Sequence, residues 1–395
     1  MACFGSDLAA LRKARTTVDQ VLALVTPDSL YERPIAERHR TVFYIGHLEA
    51  FDHNLLKTEA GLADFAPELD RLFAFGIDPG PDALPSDKVS DWPEIEVIAD
   101  YRSRVREEVD SVWDAAPELL RHIAIEHRLM HAETLAYMLH NFPHSRLVSP
   151  IAKEHVETHG PVHNEAVPVA AGEVSLGKKR DTGFGQDNEF EASSIEVAGF
   201  LMDRRKVSNG EYLEFVRTGA PVPCFWEGDK REAGKDRFLL RRMFDCIPLP
   251  LDWPVWVTQE EASLYAAWRG GRLPVEAEWQ LAASGANPEG GNFDARRFDP
   301  EAVTANPGSA TSAGVEDLWG NGWEWTASLF RPFPGFVPYA YYPGYSADFF
   351  DQEHYVLKGA SPRTDGVFTR PTFRNWFRKD YPHVFSSFRC VYQLS

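Results

Sequence analysis

Residues 117–142 read PELLRHIAIEHRLMHAETLAYMLHNF. Apolar residues recur at three- and four-residue spacing, which predicts one long helix, and Pro143 stops it. Within that helix His127 and His131 stand four residues apart and so share a face, where two imidazoles can converge on one metal ion. A third histidine, His47, has a similar setting in RTVFYIGHLEAFDHNLLKTEAG (40–61). Two more stretches of the same periodicity, LAALRKARTTVDQVLALV (8–25) and IEVIADYRSRVREEVDSVWDA (95–115), complete the helical set. The expected architecture over residues 1–145 is an antiparallel four-helix bundle with metal-binding histidines.

Bundles build metal sites from inward-facing side chains on different helices, and three imidazoles leave coordination positions open. Such nitrogen ligation suits iron(II) or zinc. The H-E-x-x-H zinc-protease pattern is excluded, because the position after His127 holds Arg128 where that chemistry needs a glutamate base. Glu133, two residues beyond His131, faces elsewhere and is expected to support or pack rather than to ligate. His39, His53, His122, His140 and His144 are expected in surface or interface roles.

Past Pro143 the helical period is lost. Residues 146–182, rich in Pro, Gly, Ala, Val and charge, read as a linker that leads into a first strand. From 183 to 395 the texture is short strands, many turns and most of the chain's 11 tryptophans. Helical patterning there is confined to Val207–Thr218, Gln259–Trp268 and Val275–Ser284. The fold class is therefore α+β, a helical bundle followed by a loop-rich domain held by buried aromatics.

Composition bounds the function. With 41 basic and 59 acidic residues the formal charge is −18, which opposes binding to nucleic acid or to anionic membranes. Four widely spaced cysteines (Cys3, Cys224, Cys246, Cys390) without a CxxC argue against a disulfide framework and a zinc–sulfur site, and suit a reducing cytoplasm. Charges come too early at the N-terminus for a signal peptide, and no stretch approaches the ~18 apolar residues of a membrane span.

Several motifs together resemble one family. GHLEAFDHNLL (46–56) and HRLMHAE (127–133) are similar to the paired iron-binding segments of the ergothioneine-biosynthetic sulfoxide synthases, and the first domain looks like a DinB-type bundle. The second resembles the formylglycine-generating-enzyme (sulfatase-modifying-factor) fold, a C-type-lectin-like arrangement. The motifs are FGQDNEF (184–190), KVSNGEYLEFV (206–216), LPLDWPVWVTQEEASLYAAWRGGRLPVEAEWQLAA (249–283), GNGWEWT (320–326), HYVLKGASPRTDG (354–366), FRNWF (373–377) and FRCV (388–391).

The resemblance implies a non-haem iron(II) enzyme that uses O2 to join a thiol sulfur to the imidazole of hercynine, leaving a sulfoxide, with the active site between the two domains. It implies iron held by His47, His127 and His131. It places Asn375 and Trp376 near hercynine, whose trimethylammonium group needs an aromatic face because it cannot donate a hydrogen bond. Tyr342 and Tyr345 in YYPGYSADFF match a tyrosine pair; Tyr342 is the expected proton or hydrogen-atom donor and Tyr345 lines the pocket. The thiol is cysteine or γ-glutamylcysteine.

Departures from the family's pattern bear on substrate. Met130 replaces a glutamine that contacts the histidine-derived substrate, and a thioether cannot supply an amide's donors. Phe377 stands where relatives that use γ-glutamylcysteine carry a carboxylate, with Arg378 and Lys379 following as possible anchors for a substrate carboxylate. A selenium donor, as in selenoneine synthesis, is the first alternative. A non-catalytic lectin-like binding protein with a structural metal is another. The formylglycine-generating oxidase branch is excluded, because its copper-binding cysteine pair would need a partner for Cys390 within Phe373–Trp376, which holds none.

Overall fold

The computed structural model describes residues 5–75, 84–151, 156, 159–228 and 237–394. The chain divides into two compact units, Met1–Ala152 and Lys153–Ser395.

Among the described residues the first unit holds five α-helices: α1 (Leu8–Leu22), α2 (Thr41–Ala60), α3 (Pro67–Phe75), α4 (Ile95–Val112) and α5 (Glu118–His140). The four long ones are those expected from periodicity. α3 is an addition, a nine-residue helix with Pro67 at its start and Glu68 and Asp70 in its first turn. Asp7 caps α1 by accepting from the Ala10 amide at 2.9 Å, and Gly61, at φ 72°, ends α2 in the left-handed conformation that glycine adopts most cheaply. α1 and α4 each bury one stripe, such as Ile98, Tyr101, Val105 and Val109 of α4. α2 and α5 bury residues on nearly every side, because α2 packs on α3, α4 and α5, and α5 packs on α1 as well.

In the second unit, β1 (Ala166–Val169) and β2 (Gly172–Leu176) lie inside the stretch read as a linker, so residues 166–176 of it belong to the folded domain. β2 pairs with β3 (Ser193–Val197), and β1 pairs with β4 (Phe200–Asp203). The helix α6 (Asn209–Val216) follows, and then a three-stranded sheet of β5 (Trp226–Gly228), β6 (Phe238–Arg241) and β7 (Cys246–Pro248). Helices α7 (Gln259–Trp268) and α8 (Glu276–Ala282) precede β8 (Gly322–Leu329) and β9 (His354–Ala360). β10 (Asn375–Arg378) pairs with β9, β11 (Ser386–Ser387) runs parallel to β8, and β12 (Val391–Gln393) closes on β4.

Aromatics fill this unit as expected, with Trp279, Trp325, Tyr212, Tyr265, Phe225 and Phe330 fully buried. The GNGWEWT motif carries the fold rather than chemistry. Its Glu324 is buried and accepts from Arg389 at 2.8 Å, from Trp279 Nε1 at 3.0 Å and from Lys206 at 3.1 Å, so β8, α8 and both chain segments beside β4 and β12 are cross-linked through one carboxylate.

Candidate functional site

In the helical unit, His47 on α2 faces His127 and His131 on α5, and one ligating nitrogen from each lies within 4.8 Å of the others. His127 and His131 meet because the i, i+4 spacing stacks them, with ring centroids 4.5 Å apart. His47 reaches them across the α2–α5 interface at 5.3 and 4.9 Å.

The surroundings fix each ring. His47 Nδ1 donates to the Phe73 carbonyl of α3 at 2.7 Å, which leaves Nε2 to ligate. α3 comes this close because residue 46 is glycine: a Cβ there would meet the Phe73 ring at 2.4 Å. His127 stacks on Phe51 at 3.5 Å. His131 Nδ1 is buried without a hydrogen-bond partner. Burial pushes His47 down to about 4 and holds His127 and His131 well below the usual imidazole range, so all three rings are neutral at pH 7 and offer lone pairs. Three neutral nitrogen donors from two helices fit a borderline cation such as iron(II) or zinc. The ~2.1 Å bonds of such ions require the rings to close inward only modestly.

Arg128 does more than spoil a protease motif. It is fully buried, and its guanidinium reaches Asp52 at 2.7 Å, Glu49 at 2.5 Å and the Leu48 carbonyl at 3.0 Å, all on α2. This clamp lies one residue from His127 on α5 and within five of His47 on α2, so it sets the register in which the histidines face each other. Met130 is half-buried on α5, as is Glu133. Of the histidines expected in surface or interface roles, His53, His122 and His140 are buried. His53 packs against Asp70 at 3.5 Å, because α3 covers that face of α2.

In the second unit the expected substrate residues gather around Trp376. Tyr345 is buried with its ring edge-on to Trp376 at 5.3 Å, and Tyr342 is half-buried 5.3 Å from Tyr345. Phe330 stacks flat on Trp376 at 4.3 Å and Phe349 lies 5.6 Å away, two members that sequence reasoning did not name. Burial and then the nearby Asp187 charge push the Tyr342 phenol up to about 12, so it keeps its proton at neutral pH. Asn375 turns its side-chain oxygen onto the Trp376 amide at 2.9 Å. Phe377 stacks on Tyr381 at 5.3 Å with the planes 8° apart. Arg378 is exposed, and Lys379 is paired with Glu260 at 2.8 Å.

Comparison with known proteins adds a family context. Residues 153–394 match the sulfatase-modifying factor enzyme 1-like domain family. Over 96% of this chain, 25% of residues are identical to ergothioneine biosynthesis protein 1 of Neurospora crassa, 56% of which is covered. Over 53% of this chain, 34% are identical to hercynine oxygenase of Mycobacterium tuberculosis, again covering 56% of that protein. The chain spans about half the length of these curated relatives. Among solved structures, PvdO from Pseudomonas aeruginosa covers 62% of this chain and 100% of its own at 21% identity and a TM-score of 0.39.

Proposed function

The chain belongs to the sulfatase-modifying factor enzyme 1-like domain family, and from that premise we propose that it is a non-haem iron(II), O2-dependent sulfoxide synthase of ergothioneine biosynthesis. The reaction would join the imidazole carbon of hercynine to a thiol, cysteine or γ-glutamylcysteine. It balances as hercynine plus thiol plus O2 giving the sulfoxide and water: the C–H and S–H hydrogens leave on one oxygen atom and the other stays on sulfur. The observation that carries the reading is the cluster of three neutral imidazoles, His127 buried and His47 and His131 half-buried, in the bundle of a chain whose relatives are named for ergothioneine and hercynine.

His47, His127 and His131 would hold the iron, which when bound supplies the redox chemistry that O2 requires. The remaining roles fall to this chain's side chains. Trp376, with Tyr345 across it, offers the aromatic face that a trimethylammonium group prefers, and Asn375 lies beside it. Tyr342 holds a phenolic proton that it can deliver, as a proton or a hydrogen atom, to the developing product. Among the described residues no helix is long and apolar enough to cross a membrane, and we place the reaction in the cytoplasm with small-molecule partners.

One observation favours a second reading of the donor. The Phe377–Tyr381 stack leaves an aromatic surface where an amino group on the donor would want a carboxylate. That suits a donor other than γ-glutamylcysteine, including a selenium compound, whereas Met130 bears on the histidine-derived substrate. The test is oxygen uptake by anaerobically iron(II)-loaded protein given hercynine with cysteine, γ-glutamylcysteine or a selenol, with products read by mass spectrometry. A hercynyl sulfoxide or selenium adduct supports the proposal. Bound iron with no uptake on any pair refutes it in favour of a non-catalytic binding protein.

A further inference from the structure

Asp187 belongs to no role given so far, yet it is fully buried beside the tyrosines. It opens a short 3-10 turn, Asp187–Glu189, that is fixed on both sides. The Gln186 amide donates to Glu189 Oε1 at 2.8 Å and the Glu189 amide to the Gln186 carbonyl at 2.9 Å. Glu189 is in turn held by Arg370 at 2.6 Å and by the Thr372 hydroxyl at 2.5 Å. The turn is therefore a rigid post.

From that post Asp187 reaches the C-terminal end of the loop that carries both tyrosines. The Ser346 hydroxyl donates to Asp187 Oδ1 at 2.6 Å. Tyr339 adds a bond from its own hydroxyl to the Gly185 carbonyl at 2.6 Å. Between these anchors the loop is two successive turns: the Tyr342 amide donates to the Tyr339 carbonyl at 3.1 Å, and the Tyr345 amide to the Tyr342 carbonyl at 3.2 Å. Tyr342 is one turn from Tyr339, and Tyr345 is next to Ser346. Bonds to a charged acceptor are stronger than neutral ones, and in a buried site water cannot replace them.

We propose that Asp187 is a positioning residue, whose carboxylate holds Ser346 at one end of the loop and thereby sets where the Tyr342 and Tyr345 phenols point. Its consequence for turnover rests on the function proposed above, whereas its hold on the loop does not. Burial, and after it the charge of the same carboxylate, raise the Tyr342 phenol above its ordinary range.

The test compares the full chain with Asp187→Asn, Ser346→Ala and Tyr342→Phe. Hydrogen exchange of a peptide spanning 339–346 reads the tie directly: both anchor variants should exchange about tenfold faster there, in line with loss of a buried charge-assisted bond, while peptides around Arg370 stay protected. In turnover, both should lower kcat more than they change KM and shift the products in the direction of Tyr342→Phe. Unchanged exchange in 339–346 overturns the inference, and so does faster exchange with wild-type products if Tyr342→Phe itself alters them. Should Asp187→Asn not fold, Ser346→Ala, which deletes one hydroxyl, decides alone. If Tyr342→Phe changes nothing, the proposed function has failed, and the exchange data still decide the role of Asp187.

Discussion

Replacing Arg128 with methionine, which keeps the length and apolar stem but removes the guanidinium, should unfold the helical unit well below the wild-type temperature and loosen its grip on metal. Arg128 is fully buried and spends its donors on Asp52 (2.7 Å), Glu49 (2.5 Å) and the Leu48 carbonyl (3.0 Å). Glu49 would retain Arg106 at 2.9 Å, but Asp52 would lose its hydrogen-bonded cation while still buried. Breaking a buried pair from one side costs about 3–5 kcal/mol, because the remaining charge is stranded. For a unit of this size each kcal/mol moves the melting point by roughly 2–4 °C, so a drop of about 6–20 °C is expected. Calorimetry is the assay, since it resolves the bundle's transition from that of the second unit. Adding Asp52→Asn should recover much of the loss, because no charge is then left unpaired. The register of α2 against α5 also aligns His47 with His127 and His131, so iron affinity should fall about 10–100-fold, the range for residues that orient ligands. A single variant that melts within about 1 kcal/mol of wild type and keeps its iron would refute the clamp.

Gly46→Ala places a methyl 2.4 Å from the Phe73 ring. Overpacking of this kind costs about 1–3 kcal/mol, and pushing α3 away should break the His47–Phe73 bond, so metal retention by equilibrium dialysis should fall further than stability alone predicts. His127→Ala should abolish iron binding and turnover while the helical content by circular dichroism stays; full iron occupancy would remove His127 from the ligand set. Asp203 gives a pH test in the second unit: burial pushes its carboxyl up to about 6 from an unfolded value near 3.8. The folded state therefore holds this proton more tightly, and stability falls as pH rises from about 4 to 6, by about 3 kcal/mol for a shift of this size. Urea titrations at pH 4 and pH 7 should show that difference shrink in Asp203→Asn, and an identical pH dependence in the variant would show that another group is responsible.

Periodicity made the four long helices legible, and the i, i+4 pair made His127 and His131 candidates, because both signals are local. α3 was not legible: nine residues carry only two turns of pattern, and what fixes it is the gap above Gly46, visible only once α2 and α3 are docked. A glycine in the interior of a helix that otherwise packs so well was the one available hint, since it costs about 1 kcal/mol there without a packing reason. The linker reading failed at β1 and β2 for a related cause. Strands of four and five residues, each paired to a strand that is distant in sequence, have too little alternation to stand out. His53, His122 and His140 were expected in surface or interface roles, and α3 and the all-round burial of α5 put them inside.

The motifs that identify the second unit and the residues proposed to do its chemistry are largely different residues. Glu324 of GNGWEWT gathers Arg389, Trp279 and Lys206, Glu189 of FGQDNEF gathers Arg370 and Thr372, and Arg374 of FRNWF binds Glu276 at 2.9 Å. A loop-rich domain has few long ladders to hold it, so buried charge pairs and aromatics do that work, and a motif built from them reports the fold. The residues proposed to bind substrate sit where those cross-links end. Trp376 and Phe377 lie two and three residues past Arg374, and Asp187, proposed to position the tyrosines, is two residues from Glu189, so each hangs from an anchored neighbour. Changing Phe377 to aspartate should therefore alter the preferred thiol donor without unfolding the domain, because Arg374 and its partner stay in place. A collapse of stability in that variant would mean that the Phe377–Tyr381 stack holds the fold instead.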